Sequence, residues 1–319
     1  MTFLAYLFAI LKNAVYGTTV FFTGELTEST DVLDVLALRF LMSAVVFWLL
    51  KITRVCKIQV GVKDFFGQSP RKAVLKNVLL TALFEPVLYM LFETLGVSMS
   101  SNITAGVILS LSAVTSCIFE MIFLKESSTT AQKIFLGLGI FGAIYIAVNT
   151  DTASGKDSVL GILFLILTVI SGSLFSVFSR KSSRSFGAME VTYVSCMLGA
   201  VVFNAVNVVR HLFAGDILHY FDPYFDWNNL LGFAFLAILS TIVATGMNNF
   251  ALGRMQSSTM AAFGGISTFV TVGVGMLLGG ETLQTYHVIG LVFILARMIG
   301  VSYIAIKRDR AAQLADEKK

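Results

Sequence analysis

Residues 83–94 read LFEPVLYMLFET, an apolar stretch that contains two glutamates, Glu85 and Glu93. A charged side chain at the centre of a membrane-spanning helix costs roughly 2.5 to 3.5 kcal/mol on insertion scales. Some feature of the fold must offset that cost. Acids in this setting are expected to face a water-filled cavity or a residue of opposite charge inside a bundle of helices.

The composition of the whole chain is that of a polytopic membrane protein. Its 319 residues are 56% hydrophobic and only 13% charged, and the mean hydropathy is +0.82. Soluble domains carry about 25% charged residues. The opening residues 1–12, MTFLAYLFAILK, lack a basic region and a cleavage site, which predicts that they belong to the first span.

Apolar runs of about 20 residues, the length that crosses a hydrocarbon core about 30 Å thick, recur along the chain. They predict ten transmembrane helices, five in each half. The first five lie near residues 3–23, 32–50, 77–95, 102–124 and 132–149. The second five lie near residues 159–179, 189–209, 230–252, 259–278 and 286–306.

The basic residues predict the orientation of these helices. If the N-terminus is cytosolic, the inner loops and the C-terminal tail hold 18 of the 23 Lys and Arg residues, and the outer loops hold two. Positive residues are retained on the cytosolic side during insertion. We therefore expect a multi-pass plasma-membrane protein with both termini in the cytosol. This placement accounts for the net charge of +4 without a nucleic-acid partner.

Similar motifs occupy the same place in each half of the chain. LGVSMSSNITA (95–105) matches LGRMQSSTMAA (252–262), FLKE (123–126) resembles LGGE (278–281), and GAIYIAV (142–148) parallels GVSYIAI (300–306). With five helices per half, the second copy enters the membrane in the opposite direction. Such inverted repeats bind substrate near the midplane and transport by alternating access. Chance similarity between helices rich in small residues is the alternative.

The predicted fold is therefore an all-α membrane protein, with ten transmembrane helices as two inverted five-helix repeats around a central cavity. We assign residues 1–150 to the first repeat, 151–308 to the second, and 309–319 to a cytosolic tail.

The sequence resembles the EamA branch of the drug/metabolite transporter superfamily over essentially its whole length. The resemblance rests on YGTTVFF (16–22), LALRF (36–40), SSNITAG (100–106), SGSLFSVFSRK (171–181), and the FLKE and GGE ends. It implies a basket of helices 1 to 4 and 6 to 9 around a central cavity, with helices 5 and 10 peripheral. Members commonly export amino acids, nucleobases or related metabolites, and some import sugars or vitamins. The family often has a proline within spans four and nine, whereas this chain reads LSAVTS (111–116) and GISTFV (265–270) there.

Polar residues at helical spacing predict which faces line the cavity. Glu85, Tyr89 and Glu93 are four residues apart and share one stripe of the third span. Pro86 beside Glu85 is expected to kink that span, because proline removes a backbone donor. The candidate substrate-binding or coupling residues are Lys12, Asn13, Tyr16, Glu85, Tyr89, Glu93, Glu120, Asn248 and Asn249.

Depth in the membrane suggests how the charges are paired. Lys12 and Glu85 both lie roughly 12 to 14 Å from the cytosolic end of their spans at 1.5 Å per residue, which makes them candidates for an ion pair. Glu93 and Arg39 lie toward the outer side and are the next candidates, and Glu120 falls near the inner mouth. Lys12 and Glu85 either bind the two ends of a substrate, with Glu85 as an alternative proton carrier, or join two helices permanently.

These observations favour a secondary carrier that moves a small organic metabolite, with export of an amino acid or related solute as the leading function. Proton-coupled uptake of a neutral or cationic nutrient is the alternative. The chain lacks the HExxH and GxSxG motifs, so neither an enzyme nor a cofactor or metal site is predicted. A channel fits less well, because it favours rings of like charge. The expected partners are the substrate and the lipid bilayer, with protons and a second copy of the chain left open.

Overall fold

The structure, a computed structural model, describes residues 2–53, 79, 81–123, 129–149, 158–182, 187–254, 260 and 263–316. Within these ranges every regular element is a helix and no strand is present. The repeated motifs FLKE and LGRMQSSTMAA lie partly outside the described residues.

The described residues of the first half form six α-helices and one segment of wider turns. The α-helices are α1 (Thr2–Ser29), α2 (Val32–Ile52), α3 (Tyr89–Ser98), α4 (Asn102–Leu109), α5 (Ser112–Phe123) and α6 (Thr130–Asn149). The residues before α3, Leu83–Leu88, form a π-helical segment that is interrupted at Glu85, where the backbone is not helical.

The second half repeats this plan. Its α-helices are α7 (Val159–Ser182), α8 (Ala188–Ala214), α9 (Trp227–Ala234), α10 (Thr245–Leu252), α11 (Gly264–Leu277) and α12 (Thr285–Asp316). A π-helical segment, Phe235–Ala244, joins α9 to α10. Two short 3₁₀ turns, Ile217–His219 and Asp222–Tyr224, lie between α8 and α9.

Several helices are long and apolar enough to cross a membrane. Six such helices occur in the described residues: Leu4–Ser29, Val32–Ile52, Asn102–Phe123, Val159–Ser179, Ala188–Ala214 and Trp227–Leu252. Three shorter apolar helices are Lys133–Gly142, Gly264–Leu277 and Thr285–Val301. The prediction of a helical membrane protein is confirmed at this level, and the count of ten crossings stays a prediction.

The packing of the helices has the same pattern in both halves. In the second half, α11 and α10 pack against α1, whereas in the first half α5 and α3 pack against α7. The π-helical segment of each half contacts the second long helix of the other: Leu83–Leu88 contacts α8, and Phe235–Ala244 contacts α2. The remaining major contacts join corresponding elements of the two halves: α2 with α8, α4 with α11, and α6 with α12. Each half thus makes the same contacts with the other, which is the pattern expected when a pseudo-two-fold axis relates the two halves.

Local sequence explains where the helices begin and end. The Asp31 carboxylate accepts a hydrogen bond from the Leu33 N–H at 2.9 Å and caps the start of α2. The Asp226 carboxylate does the same for α9, because it accepts from the Asn228 N–H at 2.8 Å. Such caps satisfy N–H groups that have no partner within the helix. Gly215, with φ of 77°, ends α8 in the left-handed conformation that glycine adopts without strain.

A loop from the second half caps a helix of the first half. The Glu281 carboxylate accepts hydrogen bonds from the backbone N–H of Asn102 at 2.8 Å and of Ile103 at 3.0 Å. It also accepts from the Asn102 side chain at 2.7 Å. A carboxylate at a helix N-terminus is favoured both by these donors and by the helix dipole. Glu281 therefore joins the segment after α11 to the start of α4.

An ionic network joins α2 to α8 at the end that the predicted topology puts outside. The Asp34 carboxylate contacts the Arg210 guanidinium at 2.7 Å and the His211 ring at 2.8 Å. Asp216 contacts the other ring nitrogen of His211 at 2.8 Å. Tyr220 donates a hydrogen bond to Asn204 at 2.6 Å beside this network, and burial raises the pKa of its hydroxyl. These residues stabilise the α2–α8 contact rather than lining the cavity.

Candidate functional site

A polar cavity of about 130 Å³ lies between the two halves of the molecule. Its walls come from α1, the third span, α4, α5, α7, the eighth span and α11. The lining residues that can form hydrogen bonds or ion pairs are Lys12, Asn13, Tyr16, Thr19, Glu85, Tyr89, Glu93, Ser112, Ser116, Ser176, Ser240, Asn248, Ser267 and Thr271. The cavity gives these groups the watery setting that lipid does not offer.

The third span is broken at Glu85, as the adjacent proline predicts. Glu85 has φ of −141° and ψ of 118°, which is extended rather than helical backbone. A residue before proline is restricted in this way, because the proline ring clashes with a helical predecessor. The Glu85–Pro86 peptide bond is cis. The break leaves the Glu85 side chain half-buried on the wall of the cavity.

Lys12 and Glu85 share the cavity without a direct ion pair. Their charges attract each other across it, but in the described part of the chain no nitrogen–oxygen contact within 4.0 Å joins them. The Lys12 ammonium lies 5.2 Å from the centre of the Tyr16 ring. The predicted Lys12–Glu85 ion pair is therefore not formed, because equal depth along two helices does not fix which way each side chain turns. Both groups are left available to a solute.

Two tyrosines carry hydrogen bonds along the cavity wall. The Tyr16 hydroxyl lies 3.1 Å from the Thr245 hydroxyl, which joins α1 to α10. The Tyr89 hydroxyl donates to Oε1 of Glu93 at 3.0 Å. The other oxygen of Glu93, Oε2, is buried and has no hydrogen-bond partner among the described residues. One carboxylate oxygen of Glu93 thus has a hydrogen-bond partner on the third span, and the other has none among the described residues.

Arg39 lies behind the cavity wall rather than in it. Its guanidinium is 1% exposed and donates to the Thr241 and Ser240 hydroxyls, each at 3.0 Å. Its charge acts on Glu93, but no ion pair within 4.0 Å joins them in the described ranges. The predicted Glu93–Arg39 ion pair is therefore replaced by hydroxyl contacts, which the π-helical segment Phe235–Ala244 presents to α2.

The adjacent asparagines of α10 differ in their surroundings. Asn248 lines the cavity, as does Asn13, whose amide donates to the Ala9 carbonyl at 2.6 Å. Asn249 does not: its oxygen accepts from Ser179 at 2.9 Å and its amide donates to Thr192 at 2.9 Å. The two side chains diverge because consecutive helical residues point about 100° apart, and the predicted role of Asn249 in substrate binding or coupling stays a prediction.

The remaining candidate, Glu120, belongs to α5, but its side chain lies outside what the structure describes. Its predicted position near the inner mouth stays a prediction.

Some lining residues were missed by the sequence analysis. Ser267 and Thr271 both line the cavity from α11, four residues apart. That spacing is the signal that could have found them. Hydroxyl residues are also common where helices pack in membranes, so the pattern alone is ambiguous. Thr271 both lines the cavity and joins two helices, because it donates to the Gly17 carbonyl of α1 at 2.9 Å.

Span four is interrupted despite the absence of proline. The helices α4 and α5 are separated at Ser110 and Leu111. The Ser110 carbonyl accepts a hydrogen bond from the buried guanidinium of Arg297 at 2.6 Å. A cation at a helix C-terminus is favoured by the helix dipole. The interruption brings Leu109 and Ser112 to the cavity wall.

A helical bundle with apolar spans and a polar cavity between two similarly packed halves defines a multi-pass membrane transporter. The chain belongs to the EamA-like transporter family of the drug/metabolite transporter superfamily, whose family model matches it twice, at residues 3–148 and 159–303. The two matches support the two-repeat architecture and confirm the resemblance seen in the sequence.

Individual proteins agree with this assignment. The chain is 30% identical over 314 residues to the "Uncharacterized transporter YcxC" of Bacillus subtilis (strain 168), covering 98% of this chain and 97% of that protein. It is 22% identical over 307 residues to an "Uncharacterized transporter" of Clostridium kluyveri, covering 94% of this chain and 93% of that one. A solved crystal structure with 16% identity superposes with a TM-score of 0.65 over 95% of this chain and 98% of the other, which supports the fold.

Proposed function

We propose that the protein is a secondary carrier that moves a zwitterionic metabolite, an amino acid or a close relative, by alternating access. The observation that carries the proposal is the placement of the Lys12 ammonium and the Glu85 carboxylate on one cavity wall without a direct ion pair. Opposite charges held apart in a cavity suit the carboxylate and ammonium groups of one solute. Charge-assisted hydrogen bonds of this kind are the strong ones.

The architecture supports a rocking mechanism. The exchange of helix contacts between halves and the double family match fit ten helices in two inverted repeats. In such proteins one bundle rocks against the other around a fixed site near the midplane. We assign both termini to the cytosol of a bacterial plasma membrane, and export as the leading direction.

The test is substrate exchange in liposomes that contain the purified protein. A panel of labelled amino acids is screened first, and the best solute is then used with Glu85→Gln and Lys12→Met. Each variant removes one charge-assisted contact, for which we expect a loss of about 1.5 to 3 kcal/mol, or roughly tenfold to a hundredfold in affinity. The matched controls are Glu25→Gln and Lys133→Met, whose side chains are exposed and away from the cavity.

Unchanged affinity in both cavity variants would contradict the proposal. Uptake driven by an imposed pH gradient, lost in Glu85→Gln, would instead favour the second candidate function, proton-coupled uptake. The observation behind that alternative is the Glu85 carboxylate itself, which has no hydrogen-bond partner in the described residues and faces the cavity.

A further inference from the structure

Glu93 is a second acid in the cavity wall, and the proposed zwitterion site does not use it. Of the lining residues that the structure describes, the acids are Glu85 and Glu93, and Lys12 is the basic residue. One zwitterion that binds Lys12 and Glu85 leaves the Glu93 carboxylate without a counterpart in the cavity. The Arg39 guanidinium acts on Glu93 from behind the wall without an ion pair within 4.0 Å among the described residues, so the cavity side of Glu93 is where a cationic group of the solute would bind.

Glu93 is buried, and one of its two oxygens is hydrogen-bonded within the described residues. The side chain is only 5% exposed. Tyr89 donates to Oε1, while Oε2 lacks any hydrogen-bond partner among the described residues. The Arg39 guanidinium, whose charge acts on Glu93, directs its hydrogen bonds to Ser240 and Thr241. A buried acceptor without a donor is costly, and a bound ammonium would supply three donors.

Glu85 and Glu93 occupy separate positions in the lining. Glu85 lies at the break of the third span, and Glu93 lies on α3 about two helical turns beyond Pro86, or roughly 10 Å by helical rise. A solute that places one ammonium at each position carries two amino groups.

The cavity has room for a small organic solute. A single water molecule needs about 10 to 15 Å³ of such space, and the cavity offers about 130 Å³.

We propose that Glu93 and Tyr89 form a subsite for a distal amino group, so that the carrier prefers short diamino monocarboxylic acids over neutral amino acids of the same size. This inference rests on the proposed function. The carboxylate of the solute binds Lys12, its α-ammonium binds Glu85, and its side-chain ammonium binds the Glu93 carboxylate.

The test compares ornithine with norleucine, which have the same number of non-hydrogen atoms and differ by one terminal ammonium. Affinities are measured on the full-length protein by competition against a labelled amino acid in liposomes. We expect the wild type to bind ornithine roughly tenfold to a hundredfold more tightly than norleucine. Glu93→Gln should reduce this ratio to within about threefold by weakening ornithine alone. Glu85→Gln should weaken both solutes, and Glu25→Gln should weaken neither.

The outcomes separate this inference from the proposed function. If the wild type binds norleucine as tightly as ornithine, the distal subsite is refuted and the zwitterion site stands. If it binds neither solute nor any neutral amino acid, both proposals fail. Should Glu93→Gln fold poorly, Glu93→Asp keeps the charge one methylene further back, and we expect it to lower the ornithine preference without abolishing it. An unchanged preference in either folded variant also overturns the subsite.

Discussion

At the residue scale, the sequence predicted the ionisable groups of the site and failed on their partners. Lys12, Glu85 and Glu93 are conspicuous because charged residues are rare in apolar spans, and all three line the cavity. Their functions stay predictions. The pairings were wrong because helical rise gives the depth of a residue and leaves open where its side chain turns. A hydroxyl contact such as Arg39 with Thr241, 202 residues apart in the chain, has no local signal.

The two adjacent asparagines of α10 give a residue-scale prediction. Asn249→Ala removes two hydrogen bonds and leaves the buried hydroxyls of Ser179 and Thr192 without those partners. Thr192 still donates to the Ala188 carbonyl, so at about 1 to 3 kcal/mol for each buried group left unsatisfied we expect a loss of roughly 1 to 3 kcal/mol in unfolding free energy. Thermal unfolding in detergent measures this.

Asn248→Ala is the matched variant for the same measurement. Asn248 lines the cavity, and no hydrogen bond engages its side chain in the described ranges. We expect its stability to change by less than about 1 kcal/mol while solute affinity falls. If both variants were destabilised equally, the result would contradict the finding that Asn249 is hydrogen-bonded to two buried hydroxyls and Asn248 is not.

At the element scale, apolar runs and Pro86 predicted the spans and the break in the third span. The break between α4 and α5 and the π-helical segment Phe235–Ala244 were not predicted. The break between α4 and α5 has no proline, and the Arg297 side chain that binds its free carbonyl comes from the far end of the sequence. The π-helical segment Phe235–Ala244 packs against α1 and α2, which come from the other half of the chain. Apolar periodicity locates a span, but tertiary contacts decide where its turns widen.

The close approach of α1 and α11 gives an element-scale prediction. A methyl group added at Gly17 would lie 2.5 Å from the Ser267 carbonyl oxygen, a backbone atom that cannot rotate away. We expect Gly17→Ala to separate the two helices and to cost about 1 to 3 kcal/mol in unfolding free energy, as overpacking does. The change is read from the thermal unfolding midpoint in detergent.

Gly137→Ala in α6 is the control, because no described atom outside the neighbouring backbone of its own helix lies within 4 Å of the added methyl group. Alanine in an open helical position is neutral or stabilising by up to about 1 kcal/mol. If Gly17→Ala were as stable as Gly137→Ala, the α1–α11 contact would be looser than the structure has it.

At the scale of the whole molecule, the sequence predicted an all-helical membrane protein of two repeats, and the structure and family match agree. The overall architecture could be predicted from the sequence because hydropathy and weak internal similarity extend over many residues. The shape of the cavity could not be predicted, since it depends on how the two packed halves meet. Alternating access stays the central proposal, and the two-fold exchange of contacts supports it.

The measurement that tests this proposal most directly is the accessibility of one cavity residue from each side of the membrane. In a variant without the three native cysteines, Ser267→Cys is exposed to a membrane-impermeant thiol reagent in right-side-out and inside-out vesicles. Ser98→Cys, at the exposed end of α3, is the control and should react only from the outside. We predict that Cys at position 267 reacts from both sides and that a transported solute slows both reactions. Reaction from one side only, at a rate that no solute changes, would contradict alternating access.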